Sequence, residues 1–101
     1  MGACNFIEFG AGRTAQQAFD SLCADAEWEY GHSPYNGTIS TTRLVRGIRK
    51  VADEWSEDAR DMAISIADRN GWGEKWESRA IDCGKLDDDL HMWAFYGWAG
   101  C

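Results

Sequence analysis

Apolar residues recur every third or fourth position over two long stretches of the chain. From Ala15 to Tyr30, the residues Ala15, Ala18, Phe19, Leu22, Cys23, Ala26 and Tyr30 share one face of an ideal helix. Thr14 followed by Gln17 has the form of a capping box, so the helix is predicted to start near Ala15, and Gly31 is placed to close it as a left-handed cap. Trp28 falls on the opposite, acidic face beside Asp25. A second helical pattern opens at Thr42 or Arg43. Leu44, Val45, Ile48, Val51, Ala52 and Trp55 lie on one side, and the register continues through Ala59, Met62, Ala63 and Ile66. One helix over 43–69 would be about 40 Å long, more than a small domain is wide. Ser56, ahead of Glu57 and Asp58, reads as a fresh N-cap, so a break is expected there, and Asn70-Gly71 ends the element.

Shorter runs read as strands. Residues 5–9, Asn-Phe-Ile-Glu-Phe, are aromatic and β-branched and are followed by Gly10-Ala11-Gly12, expected to end them. The segment Tyr30 to Thr42 holds the only proline, a histidine and two tyrosines. It is read as a helix stop, a Pro34 turn, an Asn36-Gly37 turn and a short strand over 38–41. Arg79–Cys83 and His91–Trp98 are two further strands, joined by an acidic turn over 85–89. The glycine-rich run 71–77 predicts no element. Along 91–98, Met92, Ala94, Tyr96 and Trp98 point one way and His91, Trp93 and Phe95 the other. Both faces are apolar, so this strand is expected to be central or covered by a second layer. The sum is a single α+β domain over 1–101, in the order β-α-β-α-(α)-β-β. A three- to four-stranded antiparallel sheet would pack against two or three helices.

Composition narrows the function classes. The net charge is −7, from 17 acids against 10 bases, and it is uneven: residues 43–50 hold Arg43, Arg46, Arg49 and Lys50 with no acid. An acidic protein is a poor non-specific ligand for nucleic acid, which is bound through phosphate neutralisation, so no direct nucleic-acid contact is expected. No run approaches eighteen apolar residues, and the first residues lack a basic and apolar leader pattern; a cytoplasmic location without membrane contact is expected. Cys4, Cys23, Cys83 and Cys101 are then expected to be reduced. Their spacing, with His32 and His91, offers no metal-ligand cluster, and no metal or cofactor is expected. Most of the six tryptophans are expected to fill the core.

No catalytic pattern emerges. His32 beside Ser33 and Tyr35 comes without a nucleophile elbow or an oxyanion loop, so a turn histidine is the simpler reading. Gly10-Ala11-Gly12 lacks the third glycine and the acidic residue of a dinucleotide-binding turn. Asp87-Asp88-Asp89 lacks the alternating positions of a calcium loop. Arg43, Arg46, Arg49 and Lys50 read as solvated or internally paired charge. What remains is surplus acid on both helical patterns: Asp20, Asp25, Glu27 and Glu29 on the first, and Asp53, Glu54, Glu57, Asp58, Asp61 and Asp68 on the second. These either solubilise the helices or imitate a phosphate array. Trp28, Asp25, Glu29, Asp53, Glu54, Glu57, Asp58 and Asp61 are the candidate partner-binding residues.

Gly2-Ala3 leading into Asn5-Phe6, the Ala15–Phe19 helix opening, Glu29-Tyr30-Gly31-His32, Tyr35-Asn36-Gly37-Thr38-Ile39 and Phe95-Tyr96-Gly97-Trp98-Ala99 give the chain a family likeness. In these blocks, about half its length, it resembles a widespread group of small, mostly uncharacterised phage-encoded proteins. The resemblance implies a phage or prophage origin. By analogy with other small acidic phage proteins, the expected function is non-enzymatic inhibition of a host defence complex, anti-CRISPR proteins being one type. The acidic, tryptophan-bearing surface would block nucleic-acid access in the host cytoplasm, with the protein a monomer or homodimer. Two alternatives remain: a ligand-binding or enzymatic domain using the His32–Tyr35 loop, and a housekeeping phage protein self-associating through its final strand.

Overall fold

A computed structural model describes residues 3–30, 39, 42–73 and 76–100. Its elements are β1 (Ala3–Gly12), α1 (Ala15–Tyr30), β2 (Arg43–Lys50), α2 (Glu57–Arg69), β3 (Glu77–Lys85) and β4 (His91–Gly100). The four strands form one sheet in the order β1-β4-β3-β2. β4 pairs antiparallel with β1 along its whole length, from Ala3 opposite Gly100 to Gly12 opposite His91, and antiparallel with β3 on its other side. β2 runs parallel to β3. The α+β class, the strand number and the helix number agree with expectation. The sheet is mixed, because α2 connects β2 to β3 as a crossover, the connection that parallel neighbours require.

The two helices lie on opposite faces of the sheet. Phe19 and Ala18 of α1 meet Ala80, Trp93 and Phe95, with Phe19 edge-on to Phe95 at 5.6 Å between ring centres. Ala59, Ala63, Ile66 and Ala67 of α2 meet Ile81, Cys83, Ala94 and Tyr96. Six of these residues are alanine (Ala18, Ala59, Ala63, Ala67, Ala80 and Ala94), which lets helix and sheet approach closely. β4 is therefore central and covered twice, as its two apolar faces predict. The Trp93 indole, buried under α1, donates to the Gly12 carbonyl at 2.9 Å, which satisfies its one polar atom.

Capping is local and follows the residues. The Gln17 amide donates to Thr14 Oγ1 at 3.1 Å, and Gln17 Oε1 accepts from the Arg13 amide at 2.7 Å. Ser56, in extended conformation, accepts from the Ala59 amide at 3.2 Å and starts α2, with Glu57 and Asp58 in the first turn and Arg69 in the last. The N-cap at Ser56 is thus found where it was expected, but as the start of the helix and not as a break within one.

What precedes Ser56 differs. Residues 43–50 are strand, not helix. Leu44 and Ile48 both face α1, a spacing of four that helix and strand share. Val45, Ile48 and Val51 are β-branched, Gly47 holds φ of +102°, and three arginines near a helix start would oppose its dipole. Those costs favour the strand. Ile39 sits in a 3-10 turn whose carbonyl accepts from the Thr42 amide at 3.0 Å, and β2 begins at Arg43. The remainder of 38–41, the Gly31 cap and the Pro34 and Asn36-Gly37 turns lie outside the described residues. β1 also runs on through Gly10-Ala11-Gly12. At Gly12 an added Cβ would lie 2.9 Å from the Ala18 nitrogen, so glycine here serves helix–strand contact.

Two of the thiols are placed, and both are at least partly buried. Cys83 is fully buried and Cys23 half-buried. Burial, reinforced by nearby carboxylates (Asp20, Glu27 and Glu8 for Cys23, Asp82 for Cys83), pushes both up to about 12. Both are therefore expected to alkylate roughly a thousandfold more slowly than a free cysteine at neutral pH, and at the ordinary rate once the chain is unfolded. Mass mapping of native and denatured protein checks this. Rapid native labelling of Cys83 would contradict it.

Candidate functional site

β1, β2 and β3 all point the same way, so α1 and α2 both start at one end of the sheet, where the β3–β4 turn also lies. Acid collects at that end. The strap 53–55 is tied to the end of β3: the Lys85 amide donates to the Asp53 carbonyl at 2.9 Å, and the Trp55 amide to the Lys85 carbonyl at 3.2 Å. Glu57, Asp58 and Asp61 follow on the first turns of α2. The turn after β3 is closed by the Leu86 amide on the Leu90 carbonyl at 2.7 Å, which holds Asp87, Asp88 and Asp89 outward. Eight exposed carboxylates thus share one end of the molecule: Asp53, Glu54, Glu57, Asp58, Asp61, Asp87, Asp88 and Asp89.

Two open hollows mark this surface. One, about 390 Å³, is lined by Glu54, Trp55, Lys85, Leu86, Asp87 and Asp88; the other, about 300 Å³, by Arg13, Asp87, Asp88, Asp89 and Leu90. Lys50 hydrogen-bonds Asp53 and holds its carboxyl below the usual carboxylate range. Arg60 approaches Asp61 at 3.9 Å. With Arg13 and Lys85, these bases leave an excess of four negative charges. Glu57 and Asp58 sit well here for an ordinary reason as well, since the α2 N-terminus favours anions. No cluster of three or more metal-ligating groups occurs among the described residues.

The eight candidate partner-binding residues do not form one surface. Asp53, Glu54, Glu57, Asp58 and Asp61 come together at the acidic end. Trp28 and Asp25 stand near the far end of α1, on the other face of the sheet. Thirteen residues separate Ala15 from Trp28, about 20 Å along the helix. Trp28 is 91% exposed, Trp93 is buried, and Trp55, Trp72, Trp76 and Trp98 are half-buried. The Glu29 side chain lies outside the described residues, as does the His32–Tyr35 loop on which the ligand-binding alternative depends.

Sequence reasoning missed Asp87 and Asp88 as neighbours of Glu54, and with them the exposed Leu86 and Leu90. The only signal was the acidic turn itself; its proximity to the strap is a long-range fact of the fold. β4 is hydrogen-bonded on both edges and covered on both faces, so the final strand leaves no free edge for self-association. No helix among the described residues is long and apolar enough to cross a membrane. The chain matches no family model, no curated protein and no solved structure.

Proposed function

We propose that this protein is a phage-encoded, non-enzymatic inhibitor that presents its acidic end to the basic, nucleic-acid-binding surface of a host defence complex of the CRISPR-effector class. One observation carries the reading. The same end that concentrates eight carboxylates also holds exposed Leu86 and Leu90 among them, with exposed Met62 one helical turn beyond Asp58. A surface that served only solubility has no use for apolar side chains in water, whereas a docking surface combines apolar anchors with charge. The carboxylates would steer the encounter and occupy sites that otherwise hold phosphates. The likeness to phage proteins supplies the class of partner.

The test is plating of a sensitive phage on hosts with and without an active CRISPR system, each expressing the protein, together with purification of the tagged chain. Plating is expected to recover only on the defended host, and the effector complex to co-purify. Unchanged plating with no defence component recovered overturns the reading.

A further inference from the structure

One helix about 10 Å across cannot cover four strands spaced about 4.8 Å apart. On both faces the uncovered margin falls beside β2. On the α1 side it is an apolar groove of about 320 Å³, lined by Leu44, Val45, Ile48 and Ala80 against the start of α1. On the α2 side it carries arginine. Arg49 of β2, Arg69 of α2 and Asn70 line a hollow of about 150 Å³ with Ile66. Arg49 also lines the adjoining hollow of about 260 Å³, with Arg79 of β3 and Tyr96 of β4.

Three of the other cations are paired. Arg43 is bonded to Glu77 at 3.0 Å, Lys50 to Asp53, and Arg60 lies near Asp61. Among the described residues, Arg49, Arg69 and Arg79 meet no carboxylate. Arg69 complements the α2 C-terminus and Arg49 guards an edge strand. Neither reason reaches Arg79, which is exposed within an inner strand between buried Ser78 and Ala80. A polar group lies between the hollows as well. The Tyr96 hydroxyl, on a side chain only 5% exposed, accepts from Asn70 Nδ2 at 3.3 Å, and its own proton has no acceptor among the described residues.

We propose that this cleft binds a phosphate group, with the guanidinium forks of Arg49, Arg69 and Arg79 on its oxygens and the Tyr96 hydroxyl as a further donor. Three arginines around small hollows, without a carboxylate partner among the described residues, suit a multiply charged phosphate better than a single carboxylate. Phosphate oxygens come from a free nucleotide or from a nucleic-acid backbone. The net charge of −7 repels a long polyanion, so the free nucleotide is expected to bind more tightly.

Calorimetric titration of the full chain at low salt, with pyrophosphate, adenosine triphosphate, adenosine and a short single-stranded oligothymidylate, tests this. The two phosphates are expected to bind and adenosine is not. Arg49→Ala and Arg79→Ala are each expected to weaken binding about tenfold, and Arg79→Lys, which keeps the charge but loses the fork, severalfold. Oligothymidylate binding tighter than the nucleotide, with the same arginine dependence, supports the site and assigns its phosphate to a nucleic-acid strand. Absence of binding by every phosphate probe, or equal affinity in the Arg49→Ala/Arg79→Ala double variant, overturns it. Neither outcome bears on the acidic end.

Discussion

Replacing Gly84 with alanine is expected to cost about 3–5 kcal/mol and to lower the melting temperature by at least roughly 10 °C. Gly84 holds φ of +110° in the irregular end of β3, where the register with β4 shifts between Asp82 and Lys85. A Cβ there would lie 2.3 Å from the Glu54 carbonyl carbon and 2.6 Å from the Trp55 nitrogen. Both obstacles are backbone, held in place by the bonds from Lys85 to Asp53 and from Trp55 to Lys85, so no rotamer change relieves them. Left-handed strain supplies roughly 1–3 kcal/mol and the forced displacement a similar amount. Against a total stability of about 5–15 kcal/mol, that is a large fraction. Gly47 is the control, since φ is +102° there but nothing lies within 4 Å of the added Cβ. Gly47→Ala should therefore lose only the conformational part, near 1 kcal/mol. Thermal unfolding followed by circular dichroism measures both. If the two variants melt together, the strap is not pinned against β3 and the acidic end is not a fixed surface.

Most of the fold was legible where the signal is local. Thr14 and Gln17, Ser56 with its two acids, the turn after Lys85 and the two-faced β4 each declare themselves within a few residues. Their elements stand where the residues place them. β2 was not legible, because Leu44 and Ile48, four apart, satisfy both a helix and a strand. The apolar series also continues unbroken into α2, so the eye extends one helix through both. The decisive terms were small and opposed to the periodicity: β-branching at Val45, Ile48 and Val51, a glycine at 47, and cations at a helix start. Once β2 is a strand, the crossover through α2 makes it parallel to β3, and the acidic strap must lie against the end of β3. That single change moves Arg49 from a solvated helix face to the rim of a cleft.

The candidate site was half legible for a related reason. Five of its acids lie between residues 53 and 61 and were visible as a group. Asp87 and Asp88 join them only because β3 ends beside Glu54. Arg49, Arg69 and Arg79 are separated by twenty and ten residues, and no pattern in one dimension links them. Trp28 shows the opposite failure. Its outward placement was read from the helix face, yet grouping it with the acids of α2 required both helices to lie on one side of the sheet. The double coverage of β4, itself predicted by its two apolar faces, already argued for opposite sides.

Charge reversal at the acidic end is expected to have the largest effect on partner binding. Asp58→Lys combined with Asp87→Lys changes the local charge by four units on two different segments, without touching a buried side chain. Each exposed charge contributes modestly, but both sit beside other acids, so each substitution removes attraction and adds repulsion toward a basic partner. Affinity for the proposed defence-complex partner is expected to fall about a hundredfold at low salt, mainly through slower association, and by less than about tenfold at high salt, where screening already weakens the contact. Asp58→Lys alone should show a smaller drop with the same salt dependence. Trp28→Ala is the counter-experiment. About 20 Å down α1 and across the sheet, its indole is out of reach of a partner seated on Glu54, Asp58 and Asp87, so affinity is expected to stay within about twofold. Association and dissociation rates measured by surface plasmon resonance at two salt concentrations separate the cases. A salt-independent loss in Trp28→Ala, with the double reversal binding normally, would move the interface to α1 and leave the acids of α2 as helix-dipole and solubility groups.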